Sequence, residues 1–139
     1  MTAEEDFKEA LRAGRAKADL HQLGQNVQSE MGTLAWARCA DLWIDAASES
    51  EGQERTIEEL LAAQAKIYEQ AATEDPQNAS ANFLLAHDRY RKLNHTEKQW
   101  ASGAAALLAS SGLEDDLKDI IVELPDAKVE HILNIWLKL

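Results

Sequence analysis

Four histidines and one cysteine are the residues of this chain best suited to chemistry, and their spacing assembles no recognisable reaction centre. His21, His87, His95 and His131 could each serve as a base or a metal ligand. None stands three residues after a glutamate, so the Glu-x-x-His pattern with which helical bundles hold paired irons is absent. There is no His-Glu-x-x-His, no pair of cysteines and no aspartate-rich calcium loop. His87-Asp88 matches a metal-hydrolase motif as a bare dipeptide, without upstream histidines, and reads as a surface pair. Cys39 has no histidine near it in sequence and lies in an apolar run, which predicts inert burial. Neither a Gly-x-Ser-x-Gly elbow nor a glycine-rich phosphate loop occurs. The acidic run over residues 49–59 could hold a divalent ion, but it fits a solvated loop and helix start better. The expectation is a chain with no catalytic residues, no metal and no cofactor.

Residues that could bind rather than react are easier to find. Arg89, Arg91 and Lys92, with Lys98 beyond, form the one dense basic cluster of an acidic chain. A contact with an acidic peptide is one reading. The other is a solvated helix end, where cations suit the negative pole of the dipole. Asn82 lies seven residues before Arg89 and therefore on the same helical face.

The elements that must position these residues are helical. Alanine is abundant, β-branched residues are few, and the two prolines stand at Pro76 and Pro125, a pattern that predicts an all-α protein. Hydrophobic residues make up 45% of the 139 positions, with four tryptophans, which excludes a disordered chain and allows one domain over residues 1–139 with its own core. A first helix is predicted over residues 3–29, weakened at Gly14 and Gly24. A second follows Gly32-Thr33 to about Ala47, with Trp36, Ala40, Trp43 and Ala47 on one face while Leu34, Leu42 and Ile44 widen it; so broad a stripe suggests contact on two sides. A polar loop centred on Gly52 precedes a third helix, for which Thr56 and Glu59 look like a capping box. A fourth helix covers residues 79–93 with Asn78 as its N-cap. A fifth opens with a second box, Thr96 and Gln99. Residues 114–123 and 125–139 are read as the last two helices, for about seven in all.

Charge narrows the partners. With 25 acidic and 14 basic residues the formal charge is −11, which disfavours nucleic acid and anionic membrane. The acid is compatible with a basic protein partner, and it also simply keeps a small domain soluble. No run approaches the ~18 apolar residues needed to cross a bilayer, the N-terminus MTAEEDFKEAL has no apolar signal core, and a lone cysteine suits a reducing compartment. A cytoplasmic location is expected. Glycosylation sequons at Asn78 and Asn94 are read as chance.

Residues 65–93, AKIYEQAATEDPQNASANFLLAHDRYRKL, carry the one family resemblance. An aromatic (Tyr68), a small residue (Ala71), an Asp75-Pro76 turn, a Leu85-Ala86 pair and Tyr90 follow one another in the order of a tetratricopeptide-repeat junction, which the segment resembles. The resemblance covers about half the chain. The 48–54 loop makes the first unit longer than the family's period, and no proline closes the second. It implies antiparallel helical hairpins in a right-handed stack over residues 33–111, an N-terminal helix over 1–31 and a capping pair over 113–139. It also implies a non-enzymatic protein–protein interaction module, adaptor or cochaperone-like, with Trp36, Trp43, Asn82 and Arg89 facing a protein or peptide partner. Tyr68 and Trp100 are expected in the core. The alternative is a small acidic regulatory bundle, immunity- or antitoxin-like, that masks a basic partner with residues 49–59 and 114–119. Ile135, Leu137 and Leu139 either contact a second copy through the C-terminal helix or fold back into their own core.

Overall fold

The computed structural model of the chain describes residues 2–109. Among them are six α-helices, one 3-10 turn and no strand: α1 (Ala3–Arg12), α2 (Lys17–Met31), α3 (Thr33–Ser48), α4 (Glu54–Glu74), the turn Pro76–Asn78, α5 (Ala79–Lys92) and α6 (Thr96–Ala109). The protein is all-α over this span, as the composition predicts. The helices expected after Gly112, the capping role given to them and the contacts expected of Ile135, Leu137 and Leu139 lie outside the described residues.

The long first helix of the sequence reading is two helices. Thr2 caps α1, its Oγ1 accepting from the Glu5 amide at 3.2 Å, and Glu4, Glu5 and Asp6 occupy the positive first turn. The helix ends where Gly14 takes φ +69°, the Gly14 amide donating to Leu11 and the Arg15 amide to Ala10. That pair of bonds is a Schellman ending, and the residue at its pivot must be left-handed, which glycine adopts without a steric penalty. Gly24, the other suspected break, lies inside α2. A Cβ placed there would sit 2.7 Å from Cη2 of Trp36, so glycine serves close packing of α2 on α3 instead of a turn.

Both capping boxes fail for a common reason: the helices start earlier. α4 opens at Glu54, which places Thr56 within the first turns, buried, while the Glu59 carboxylate receives Lys17 Nζ at 2.7 Å. In α6 the Gln99 amide donates to His95, so the chain is already helical at Thr96. Asn78 does stand at the N-cap of α5, but its side-chain amide donates to Asp75 at 2.7 Å and makes no cap hydrogen bond. The end of α5 repeats that of α1. Asn94 takes φ 59°, its amide bonds to Arg91, and the His95 amide bonds to Tyr90.

The chain divides into two compact units, Met1–Ile67 and Tyr68–Leu139. In the first, α1, α2 and α3 pack on one another around Phe7, Val27, Cys39 and Leu60, each almost or wholly shut off from solvent. Phe7, Trp36 and Trp43 meet with ring centroids 5.8–6.4 Å apart, and His21 abuts Trp43 edge-on at 4.9 Å. Gln64 is buried too, its amide donating to the Ala37 carbonyl and to Asp41 at 2.9 and 2.7 Å. In the second unit, α5 and α6 pack closely, with Ala86 and Ala106 wholly buried and Tyr68, Ala71 and Ala72 of α4 also buried. Tyr68 is in the core as expected, whereas Trp100 is only half-buried.

Candidate protein-interaction face

In the first unit, α3 has two faces of opposite character. Trp36, Cys39, Ala40, Trp43 and Ala47 point inward. The outer stripe at i, i+4 and i+8 is Leu34, Arg38 and Leu42, and both leucines are 40% exposed. Met31, 44% exposed at the end of α2, extends the apolar surface. The broad stripe of α3 is thus one buried face with two half-exposed leucines on its other side.

Beside Leu42, α1 presents Lys8, Leu11 and Arg12, and these four residues line a hollow of about 270 Å³. Lys8 pairs with Glu4 at 3.2 Å on the same helix. Arg12 and Arg38 form no ion pair with a described residue. The fields of Lys8 and Arg38 reach inward: the Cys39 thiol is pushed up by burial first and by Glu4, while Lys8 and Arg38 pull the other way. The opposite flank of α1 forms a second hollow, of about 480 Å³, lined by Asp6, Glu9 and Asp19 with Arg15, of which Arg15 is held by Asp19 at 3.4 Å. One short helix thus separates a cationic, leucine-lined hollow from an acidic one.

The residues assigned to the partner from sequence are placed elsewhere. Trp36 and Trp43 are 9% and 4% exposed and are taken up by the aromatic core, so a partner could reach them only after that core opened. Asn82 and Arg89 are both buried in α5. The Arg89 guanidinium lies over the Tyr68 ring at 5.6 Å and pairs with Asp88 at 2.5 Å. The rest of the basic cluster turns on that same carboxylate, with Arg91 at 2.9 Å and Lys92 at 3.2 Å. Burial raises the Asp88 carboxyl, but the bonds and charges of Lys92, Arg91 and Arg89 outweigh it and hold the carboxyl below its ordinary value. All three cations of the cluster are thereby tied to one carboxylate at their own helix end.

His87 is buried, not a surface residue: the Gln99 carbonyl accepts from its Nδ1 at 2.9 Å, joining α5 to α6. Among the described residues no group of three or more His, Cys, Asp or Glu side chains could hold a metal ion, and no helix is long and apolar enough to cross a membrane. Leu34 and Leu42 were visible in sequence as the surplus on an already apolar helix; Lys8, Leu11 and Arg12 gave no such signal, because only the packing of α1 beside α3 sets them against Leu42. Compared with known proteins, the chain matches no family model, no curated protein and no solved structure.

Proposed function

We propose that this chain is a non-enzymatic protein–protein interaction module, adaptor or cochaperone-like, built from helical hairpins of tetratricopeptide type. The α4–Pro76–α5 junction supports the repeat reading, since helix, tight turn and helix fall where Tyr68, Asp75-Pro76 and Tyr90 resemble the family. The observation that carries the binding role is the exposed Leu34–Arg38–Leu42 stripe on the back of a helix whose other side is filled with tryptophan. Exposed leucines two turns apart on one stripe cost nothing to fold but reward a partner that covers them.

The test is retention of cellular proteins on the immobilised chain, compared with Leu34→Ser/Leu42→Ser. Both positions are half in water, so circular dichroism of the variant should be unchanged. A protein released by the double substitution supports docking on α3; an unchanged set of retained proteins refutes it. A second reading, masking of a basic partner, draws on the acidic Asp6–Glu9–Asp19 hollow. There Glu9→Lys, not the leucine pair, would release the partner.

A further inference from the structure

We infer that the occupant of the α1–α3 face is an acidic amphipathic helix of a partner protein. This rests on the docking role proposed above and specifies the chemistry that fits it. The lining of the hollow is two leucines and two cations, Lys8, Leu11, Arg12 and Leu42, with no carboxylate among them. Arg38 stands between Leu34 and Leu42 on the adjoining stripe and adds a third cation. Such a grouping is out of character for a chain with a formal charge of −11.

The scale of screening decides which charge matters. At physiological ionic strength the Debye length is about 8 Å, so a docked segment responds to the cations at its edge more than to distant acid. A basic segment would be drawn to the rest of the surface and repelled here. An extended polyanion such as nucleic acid or an anionic bilayer would reach past the hollow to acid beyond it, including Asp6 and Glu9 one helix face away. What fits is a short segment with a few carboxylates flanking an apolar stripe. Leu34 and Leu42 are about 12 Å apart along α3, the span that apolar residues at i and i+7 or i+8 of a second helix cover. Lys8 is already paired with Glu4 at 3.2 Å on its own helix, which leaves Arg12 and Arg38 to meet an incoming carboxylate.

The test uses the full chain and three probes, read by fluorescence anisotropy and co-sedimentation. The first probe is a synthetic amphipathic helix with leucines at i, i+4 and i+7 and glutamates on both flanks. The second is the same peptide with lysine flanks, and the third is vesicles of phosphatidylcholine with phosphatidylserine. The glutamate peptide should bind at least about tenfold more tightly than the lysine peptide, with affinity falling as salt rises. Lys8→Glu/Arg12→Glu should invert that preference while leaving the circular dichroism unchanged. Absence of binding by the glutamate peptide, equal binding of both peptides, or binding of the vesicles through this face would each overturn the inference. The docking role fails separately: it falls if Leu34→Ser/Leu42→Ser releases nothing. If the leucine pair releases a partner that Lys8→Glu/Arg12→Glu still retains, only the acidic-helix inference is lost.

Discussion

The two units fill their interiors by different means. Around α1–α3 the interior is bulk: Phe7, Trp36 and Trp43 in mutual contact, with Gly24 cut away to let the Trp36 ring in. Around α5 and α6 the rings of Tyr68 and Tyr90 and the alanines Ala79, Ala86 and Ala106 are buried together with Asn82, His87, Arg89 and Ser102. Among the described residues no buried side-chain nitrogen or oxygen lacks a hydrogen-bond partner, so those polar groups are satisfied. Both interiors remove apolar surface from water, and the second encloses more polar side chains, each of which must be paired. The lesson concerns the residues first assigned to a partner. Two tryptophans and an Asn/Arg pair are equally suggestive in sequence, and both pairs are buried, in different surroundings.

If this contrast is right, substitutions should differ in size between the units. Phe7→Ala or Trp43→Ala should cost about 3–5 kcal/mol, measured by urea unfolding, because a large ring leaves a cavity its neighbours cannot close. A loss under about 1 kcal/mol at both would remove the distinction between the two interiors. Gly24→Ala should cost about 1–3 kcal/mol through overlap with Trp36, even though alanine favours a helix by about 1 kcal/mol over glycine. A stabilised variant would mean that α2 and α3 do not approach so closely. In the second unit, Tyr90→Phe removes a hydroxyl bonded to Glu69, an arrangement that with burial raises the phenol's pKa well above its ordinary value. About 1 kcal/mol is expected, with ring packing retained.

The smallest effect should be that of Asp88→Asn. Asp88 is depressed in the folded state, so its contribution is present above the unfolded carboxylate pKa of about 3.9 and fades as pH falls through the lower folded value. The variant should therefore be less stable than the parent at pH 7 and converge with it toward pH 3. Arg91 and Lys92 are half in water, so solvent screening keeps this difference well below that of the core substitutions. A gap that widens on acidification would reverse the assignment of the cluster.

Much of the fold was legible from local pattern. The limits of α3 followed from Gly32 and the run of apolar residues, and the α4–α5 junction from Asp75-Pro76, because proline and glycine act through their own backbone. The split at Gly14 was harder: one residue serves equally as a weak helical position or a Schellman pivot, and the choice depends on amides that bond three and five residues back. The Thr56–Glu59 box was lost because α4 opens two residues earlier, at Glu54, and Glu59 instead meets Lys17, 42 residues away in sequence. Burial of Trp36 and Trp43 could not be told from display, since a tryptophan stripe fits a groove or a core equally well until Phe7 is seen between them. For the candidate site, the exposed leucines were half visible and the cations beside them were not.

Cys39 gives the molecule a gauge of its own. It is the one cysteine of the chain, it lies at 0% exposure in the interior of the first unit, and it feels Lys8 of α1 and Arg38 of α3. A thiol so placed reacts with a soluble disulfide reagent only when the helices above it part, so its labelling rate reports the opening of that interior. A segment lying across α1 and α3 would slow the clock without touching the sulfur.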